Sequence, residues 1–184
     1  MAITPDTKNW TWVLDEVCPE CRFDAASVDL SVIGDLIRAN AALWPPLLAA
    51  PNAGERPTPD RWSALEYGCH VRDVFALYDH RLALMLAEDG ARFADWNQDT
   101  TAVEQRYDLQ DPALVAAELV AAGEACAARF ETVGDGDWQR TGDRSDGSRF
   151  TIETFARYFL HDPVHHVGDV ERGNELLASR SEDR

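Results

Sequence analysis

The chain has 184 residues, of which 45% are hydrophobic and 27% charged, a composition typical of one folded domain, here residues 1–184. Six Trp and seven Phe need a buried core, which excludes disorder along the whole chain. The formal net charge of −16 repels nucleic acid and anionic lipid, so neither is an expected partner. The sequence shows no membrane-spanning run and no signal peptide, and we expect a cytoplasmic protein with reduced cysteines.

The N-terminal half predicts an arm followed by two helices. Residues 1–24 form the arm, and the first helix runs from residue 24 or 27 to about residue 43, where a cluster of prolines ends or kinks it. After a linker rich in Gly and Pro at residues 52–60, the second helix covers residues 62–88. This helix has the clearest apolar stripe at 3.6-residue spacing, and Gly90 ends it.

The C-terminal half predicts two more helices. Residues 90–111 are irregular apart from one short helix, and an Asp-Pro pair then begins the third helix at residues 112–133. Residues 134–148 are a loop rich in Gly and Asp with at most a short extended piece, and the fourth helix covers residues 151–177. Four long helices around one core predict an all-α four-helix bundle.

Three of the five histidines suit a metal ion. His161 and His165 are four residues apart on the fourth helix, so both rings project from one face. His70 lies at the edge of the apolar stripe of the second helix, and side chains from facing helices can converge on one ion inside a bundle. Three imidazoles and an open position form a catalytic zinc site. The spacing alone leaves a solvated histidine pair equally open.

The other histidines and the nearby acids have different expected roles. We expect His80 in solvent, and His166 in the core or beside a ligand rather than as a ligand. Asp73 and Glu66 stand three residues after and four residues before His70, so either carboxylate could orient that ring, or both could be solvated.

The cysteines give two alternatives. Cys18 and Cys21 form a C-x-x-C in the arm, which could be half of a zinc site or a redox couple. A structural zinc ion needs four ligands, and the sequence has no second C-x-x-C, so a plain loop with inert thiols is the simpler interpretation. Cys69 and Cys126 stand alone on helices and are expected in the core.

Two segments together resemble the DinB/YfiT-like superfamily. Residues 62–73 read WSALEYGCHVRD, and residues 161–170 read HDPVHHVGDV. The most similar branch contains the metal-binding domain of mycothiol-dependent maleylpyruvate isomerase. The resemblance implies an up-down-down-up bundle with a long crossover, in which His70, His161 and His165 hold one divalent ion, zinc or nickel.

The function implied by this resemblance is thiol chemistry. The metal would hold a low-molecular-weight thiol such as mycothiol as its thiolate, which then attacks a small electrophile in a transfer or an isomerisation. The partners would be that thiol and that electrophile, with a homodimer as a further expectation. Hydrolysis by metal-activated water, a metal- or ligand-binding stress protein without turnover, and a helical scaffold without metal stay open.

Two residues are expected to bind substrate beside the metal. Tyr158 stands three residues before His161 on nearly the same face, so its hydroxyl could bind a group held by the ion, or the ring could simply pack. Arg81 lies three turns after His70 on the same stripe. It could receive a substrate carboxylate, or pair with an acid of a neighbouring helix.

Overall fold

In a computed structural model, which describes residue 3 and residues 8–182 (181 and 182 by their backbone alone), the chain is mainly helical. The α-helices of this part are α1 Ile33–Ala41, α2 Trp44–Leu48, α3 Ala64–Ala87, α4 Gln98–Glu104, α5 Pro112–Phe130 and α6 Ile152–Glu182. The strands are β1 Ala91–Phe93, β2 Thr141–Arg144 and β3 Arg149–Thr151. Short 3-10 helices lie at Trp10–Leu14, Ala25–Ser27, Leu30–Val32 and Tyr107–Leu109.

Helices α1, α3, α5 and α6 form the predicted four-helix bundle. Arg72 near the start of α3 binds Glu118 near the start of α5, and Asp79 farther along α3 binds Arg129 near the end of α5, so these two helices are parallel. A parallel pair needs a long connection, and residues 88–111 supply it.

The other two bundle helices run the opposite way. Gly34 at the start of α1 lies beside Glu131, just after the end of α5, while Ala41 at the end of α1 lies beside Gly123. Helix α6 is antiparallel to α3, because Tyr78 late in α3 packs on Phe155 early in α6. The order is therefore up-down-down-up, and the predicted all-α four-helix bundle with a long crossover is confirmed.

The first helix is shorter than predicted. The side chain of Asp24 accepts a hydrogen bond from the Ala26 N–H, and that of Asp29 accepts one from the Ser31 N–H. Each aspartate thereby closes a separate 3-10 turn, so the α-helix begins only at Ile33. Pro45 and Pro46 do not prevent a second helix from following, because they occupy the first turn of α2, where a missing N–H costs little.

A small sheet closes one end of the bundle. β1 pairs with β2 in parallel, and β2 pairs with β3 in an antiparallel manner. The sequence predicted at most a short extended piece in the loop, so the sheet is larger than expected. A Cβ on Gly142 would lie 2.7 Å from the Phe93 ring and 2.9 Å from Met85, so this position needs glycine. The sheet thus packs tightly against the end of α3, and it holds Arg144 next to the bundle.

The core between the helices is strongly aromatic. Phe159 of α6 stacks on Phe130 of α5 at a centroid distance of 5.7 Å and on Tyr78 of α3 at 4.7 Å. Cys69 and Cys126 are buried, as expected. Within the described part of the chain, none of the helices combines the length and the apolar character that crossing a bilayer requires.

Candidate metal centre

Among the described residues, His70 and the pair of His161 and His165 belong to different groups of potential ligand atoms that lie within 4.8 Å of one another. His161 and His165 lie on the stripe of α6 that faces the N-terminal arm, and His70 of α3 faces the next stripe, which has Asp162 and His166. Neighbouring residues of a helix are about 100° apart, so the two stripes face different elements. One ion on His70, His161 and His165 stays a prediction. The potential ligand atoms fall into two clusters, of three and four residues, that share no residue, and a third group, Glu20, His165 and Asp169, shares His165 with one of them.

The first cluster is a triad of His70, Asp162 and His166. Asp162 Oδ1 is 3.3 Å from His70 Nε2 and 3.7 Å from His166 Nε2. His70 is fully buried, and both of its nitrogens and Asp162 Oδ1 have no hydrogen-bond partner among the described residues. Buried polar atoms left in this state are costly, so their convergence indicates a missing ligand.

The triad fits a divalent metal ion. Bonds of about 2.0–2.2 Å from a metal to nitrogen and oxygen place neighbouring ligand atoms about 3.0–3.6 Å apart, close to the separations found here. Two imidazoles and one carboxylate are the ligand set of sites that keep open positions for other molecules. Donors of this kind suit zinc and nickel among the transition metals.

Asp169 fixes the orientation of the His166 ring. Its Oδ2 lies 2.9 Å from His166 Nδ1, and its Oδ1 accepts a 2.6 Å hydrogen bond from Arg172. With Nδ1–H donating to this carboxylate, the lone pair of His166 Nε2 points toward the triad, as in metal sites where a carboxylate orients a ligating imidazole. Sequence reasoning placed His166 in the core or beside a ligand, whereas here it is one of the donors.

The electrostatics of the triad keep Asp162 ionised. Burial by itself raises the pKa of this carboxyl, but His70 and His166 outweigh that effect and lower the pKa to about 2. The pKa of Asp169 is also lowered, because the hydrogen bond from His166 outweighs the effect of burial. Two carboxylates therefore stand at the site at neutral pH.

The two acids proposed to orient His70 lie elsewhere. Glu66 closes the capping box of α3 with Ser63 and pairs with Arg56. Asp73 accepts a hydrogen bond from Tyr107 and pairs with Arg72. The His70 ring is held by packing instead, since the Trp96 ring stacks on it at 5.3 Å with an interplanar angle of 9°.

A cavity of about 280 Å³ is lined by Asp162 and His166 of the triad, with His70 behind them, and by His161 and His165 of the neighbouring stripe. Val74 and Leu77 of α3 provide apolar wall, and the predicted substrate residues Tyr158 and Arg81 also line it. The net charge of the chain is −16, and the cavity lining has four basic residues, Lys8, Arg61, Arg81 and Arg144, beside six acidic ones. The cavity therefore brings potential metal ligands and arginine side chains together in a wall of mixed charge.

Arg81 is a buried cation without a carboxylate partner in the described part of the chain. It is 3% exposed, Nη2 donates a 2.7 Å hydrogen bond to the Ala94 carbonyl, and Nε has no partner. Burial lowers the pKa of this guanidinium. Its charge is stabilised in part by the faces of Tyr78 and Phe93, at 5.7 and 5.0 Å.

Arg144 and Tyr158 form a neighbouring polar pair. Arg144 Nη1 donates a 3.3 Å hydrogen bond to the Tyr158 hydroxyl, and Nη2 binds Asp146 at 2.8 Å. Burial, which outweighs the hydrogen bond from Arg144, raises the pKa of Tyr158, so the hydroxyl keeps its proton at neutral pH. Arg144 already has a counter-ion in Asp146, whereas Arg81 is a buried cation of the cavity wall with no carboxylate within ion-pair distance in the described part of the chain.

The second cluster joins the N-terminal arm to α6. It contains Cys18, Cys21, His161 and His165, whose potential ligand atoms all lie within 4.8 Å of one another. We call it the Cys-His cluster. His80, by contrast, is exposed on α3, as expected.

Sequence reasoning missed Asp162 and His166 as donors. They are also four residues apart, so the sequence contains two equivalent pairs on adjacent stripes of α6. The useful indication was the C-x-x-C of the arm, since two cysteines together with His161 and His165 make a complete set of four zinc ligands. If His161 and His165 belong with the two cysteines of the arm, Asp162 and His166 are the α6 residues that can bind an ion together with His70.

Comparisons with known proteins agree with this fold. A family model described as the DinB superfamily matches residues 40–170, more than half of the chain. YfiT from Bacillus subtilis, described as "a probable metal-dependent hydrolase with an unusual four-helix bundle topology", matches with a TM-score of 0.64 and 16% identity over 78% of this chain and 83% of that chain. At this identity the likeness shows the fold alone. A search of curated proteins gives no match.

Proposed function

Because the chain belongs to the DinB superfamily and gathers His70, Asp162 and His166 beside a cavity, we propose that it is a metal-dependent hydrolase of small anionic molecules. The single observation that carries this proposal is the convergence of His166 with the buried His70 nitrogens and Asp162 Oδ1, which make no other hydrogen bond among the described residues, at a cavity that Arg81 also lines.

Each residue of the site has a separate role in the proposed reaction. A divalent ion bound to the triad supplies a Lewis acid that lowers the pKa of a water ligand. Asp169 holds the His166 ring in place, and Trp96 covers His70 and excludes bulk water from it. The Tyr158 hydroxyl, a donor one turn before Asp162, is placed to bind a substrate oxygen.

Arg81 defines the class of substrate. A buried guanidinium without a carboxylate partner is stabilised by an anionic ligand, which it can bind through two parallel hydrogen bonds. Arg81 lies eleven residues after His70, about 16 Å along the helix axis. Because the long Arg81 side chain spans part of this distance, the anionic group of the substrate binds at some distance from the bond that is cleaved, within the same cavity.

Hydrolysis fits the cavity better than thiol transfer does. A volume of about 280 Å³ is at the small end of ligand sites, which are roughly 300–1,000 Å³, and it suits one small substrate with water. Transfer of mycothiol to an electrophile needs room for two organic molecules. The resemblance of residues 62–73 and 161–170 to the thiol-dependent isomerase branch supports that reaction as the second candidate.

The test compares an anionic and a neutral ester on metal-loaded protein. We expect zinc- or nickel-dependent hydrolysis of 4-nitrophenyl hemiglutarate, with kcat/KM at least about tenfold above that for 4-nitrophenyl acetate, which is 1.4 kcal/mol of selectivity. His70→Ala and His166→Ala should abolish this activity and lower metal content. His80→Ala, on the exposed face of the same helix as His70, is the matched control and should change neither.

Two results would contradict the proposal. Equal activity of the His166→Ala and His80→Ala variants would remove the triad from the reaction. Thiol-dependent isomerisation of maleylpyruvate, or transfer of a low-molecular-weight thiol to an electrophile, with no ester hydrolysis, would establish the second candidate instead.

A further inference from the structure

We propose that the Cys-His cluster is a second metal site, a structural zinc site that fastens the N-terminal arm to α6. The site is distinct from the triad and does not depend on the proposed hydrolysis. Its four residues come from two distant parts of the chain, with Cys18 and Cys21 in the arm and His161 and His165 on α6.

The distances within the cluster suit zinc. Cys18 Sγ lies 3.7 Å from His165 Nδ1. Zinc bonds of about 2.3 Å to sulfur and about 2.0–2.1 Å to nitrogen place tetrahedral ligands about 3.6 Å apart, so this pair already has the separation that one ion requires. Two cysteines and two histidines complete a tetrahedron without water, as in structural rather than catalytic sites.

A buried, unpartnered nitrogen is the independent indication of a ligand. His161 is 4% exposed, and its Nε2 has no hydrogen-bond partner among the described residues. A buried imidazole nitrogen left in this state loses its hydration without compensation. A zinc ion held with Cys18 and Cys21 would satisfy it.

His165 has the surroundings of a metal ligand on both sides of its ring. Nδ1 faces Cys18, while Nε2 lies 3.6 Å from a carboxylate oxygen of Asp169 and 3.7 Å from one of Glu20. Carboxylates placed behind an imidazole favour the tautomer whose other nitrogen is free to bind metal. Asp169 thus stands between the two clusters, since it also orients His166.

The backbone of the arm brings its two thiols to one side. Cys18 N–H donates to the Phe23 carbonyl and Arg22 N–H to the Cys18 carbonyl, both at 2.9 Å, and Arg22 has a φ of 63°. The chain therefore reverses directly after Cys21. The rings of Trp10 and Phe23 flank His161 at 5.4 and 5.5 Å, which packs the arm against the cluster.

Zinc explains the four residues together better than a redox couple does. A disulfide between Cys18 and Cys21 would occupy both sulfurs and leave His161 Nε2 buried without a partner. Catalytic C-x-x-C pairs also expose the first cysteine as the nucleophile, whereas here Cys18 is fully buried and Cys21 is the part-exposed one. The zinc interpretation uses all four residues and accounts for the position of the arm.

The experiment is metal analysis with cobalt substitution on the full-length protein. We expect about two zinc ions per chain in the wild type. Replacing zinc with Co²⁺ should give the intense thiolate-to-cobalt charge-transfer absorption of a tetrahedral site with sulfur ligands. The double variant Cys18→Ser/Cys21→Ser should lose one ion and this band, and His161→Ala should weaken the band.

Matched controls separate this site from the triad. Cys126→Ala removes a buried thiol elsewhere and should keep both ions and the band. His166→Ala should lose the triad ion but keep the band, so failure of the proposed hydrolase leaves this result unaffected. If the cysteine variant does not fold, modifying the thiols of the wild type with a mercurial reagent should still release one zinc ion per chain. Absence of the band in folded wild type, or no zinc release on thiol modification, would overturn the proposal.

Discussion

At the residue scale, the proposed role of Arg81 in substrate binding conflicts with the stability of the folded chain. A buried cation without a counter-ion raises the free energy of the folded chain, and an apolar residue of similar length avoids that cost. We expect Arg81→Met to leave the free energy of unfolding unchanged or to raise it by about 1 kcal/mol, measured in urea. The same variant should raise KM for 4-nitrophenyl hemiglutarate at least about tenfold, a loss of 1.4 kcal/mol.

Arg92 is the control for this prediction, since its side chain is exposed on β1. Arg92→Met should change neither stability nor KM. A loss of several kcal/mol of stability in Arg81→Met, with unchanged KM, would show that Arg81 serves the fold and binds no substrate.

Asp169 supports the triad without belonging to it. Asn in its place keeps the shape but removes the charge that polarises the His166 ring. Asp169→Asn should weaken metal affinity at the triad about 10- to 100-fold, measured by competition with a chromophoric chelator. Glu171→Gln, which removes an exposed carboxylate two residues away, should leave the affinity unchanged. Equal affinities of the two variants would mean that Asp169 does not orient the ligand.

A buried ion pair stabilises the beginning of α3, one turn before His70. The Ser63 N–H donates to Glu66 at 2.9 Å, and Arg56 neutralises the same buried carboxylate. Arg56→Met leaves Glu66 charged and buried, so we expect the free energy of unfolding to fall by about 2–3 kcal/mol in a denaturant titration.

An exposed ion pair provides the comparison. Arg149 lies 3.4 Å from Asp143 with 63% of its side chain exposed, so Arg149→Met should cost less than about 1 kcal/mol. Similar losses for Arg56→Met and Arg149→Met would mean that the pair at the start of α3 contributes no more than a surface salt bridge.

The sequence predicted the long elements better than the short ones. Helices α3, α5 and α6 follow from apolar spacing, an Asp-Pro start and a glycine stop, all of which are local properties. The first helix was predicted too long because Asp24 and Asp29 each hydrogen-bond a backbone N–H two residues ahead, and such short turns compete with a helix.

The site was harder to predict because its geometry is not local. Two pairs of possible ligands, four residues apart, occupy adjacent stripes of α6. Only the packing of α3 on one stripe and of the arm on the other decides which pair His70 meets. His70 itself could be identified from the buried stripe of α3, whereas Asp162 and His166 required the tertiary structure.

At the scale of the whole molecule, metal ions and fold should be coupled. An ion present at about 1,000 times its Kd stabilises the native state by about 4 kcal/mol, which for a chain of this size raises Tm by about 8–16 °C. We expect a chelator to lower Tm by at least about 8 °C in the wild type, measured by circular dichroism. The effect should be smaller in Cys18→Ser/Cys21→Ser, which has only the triad left. An unchanged Tm with chelator would contradict both metal sites.

Locating the metal ions directly tests the central claim, that two separate sites exist and that His70 belongs with Asp162 and His166. The measurement is anomalous X-ray diffraction at the zinc edge from crystals of zinc-loaded protein. We predict one peak between His70, Asp162 and His166, and a second peak within the Cys-His cluster. A single peak shared by His70, His161 and His165, or no peak beside His70, would contradict the account.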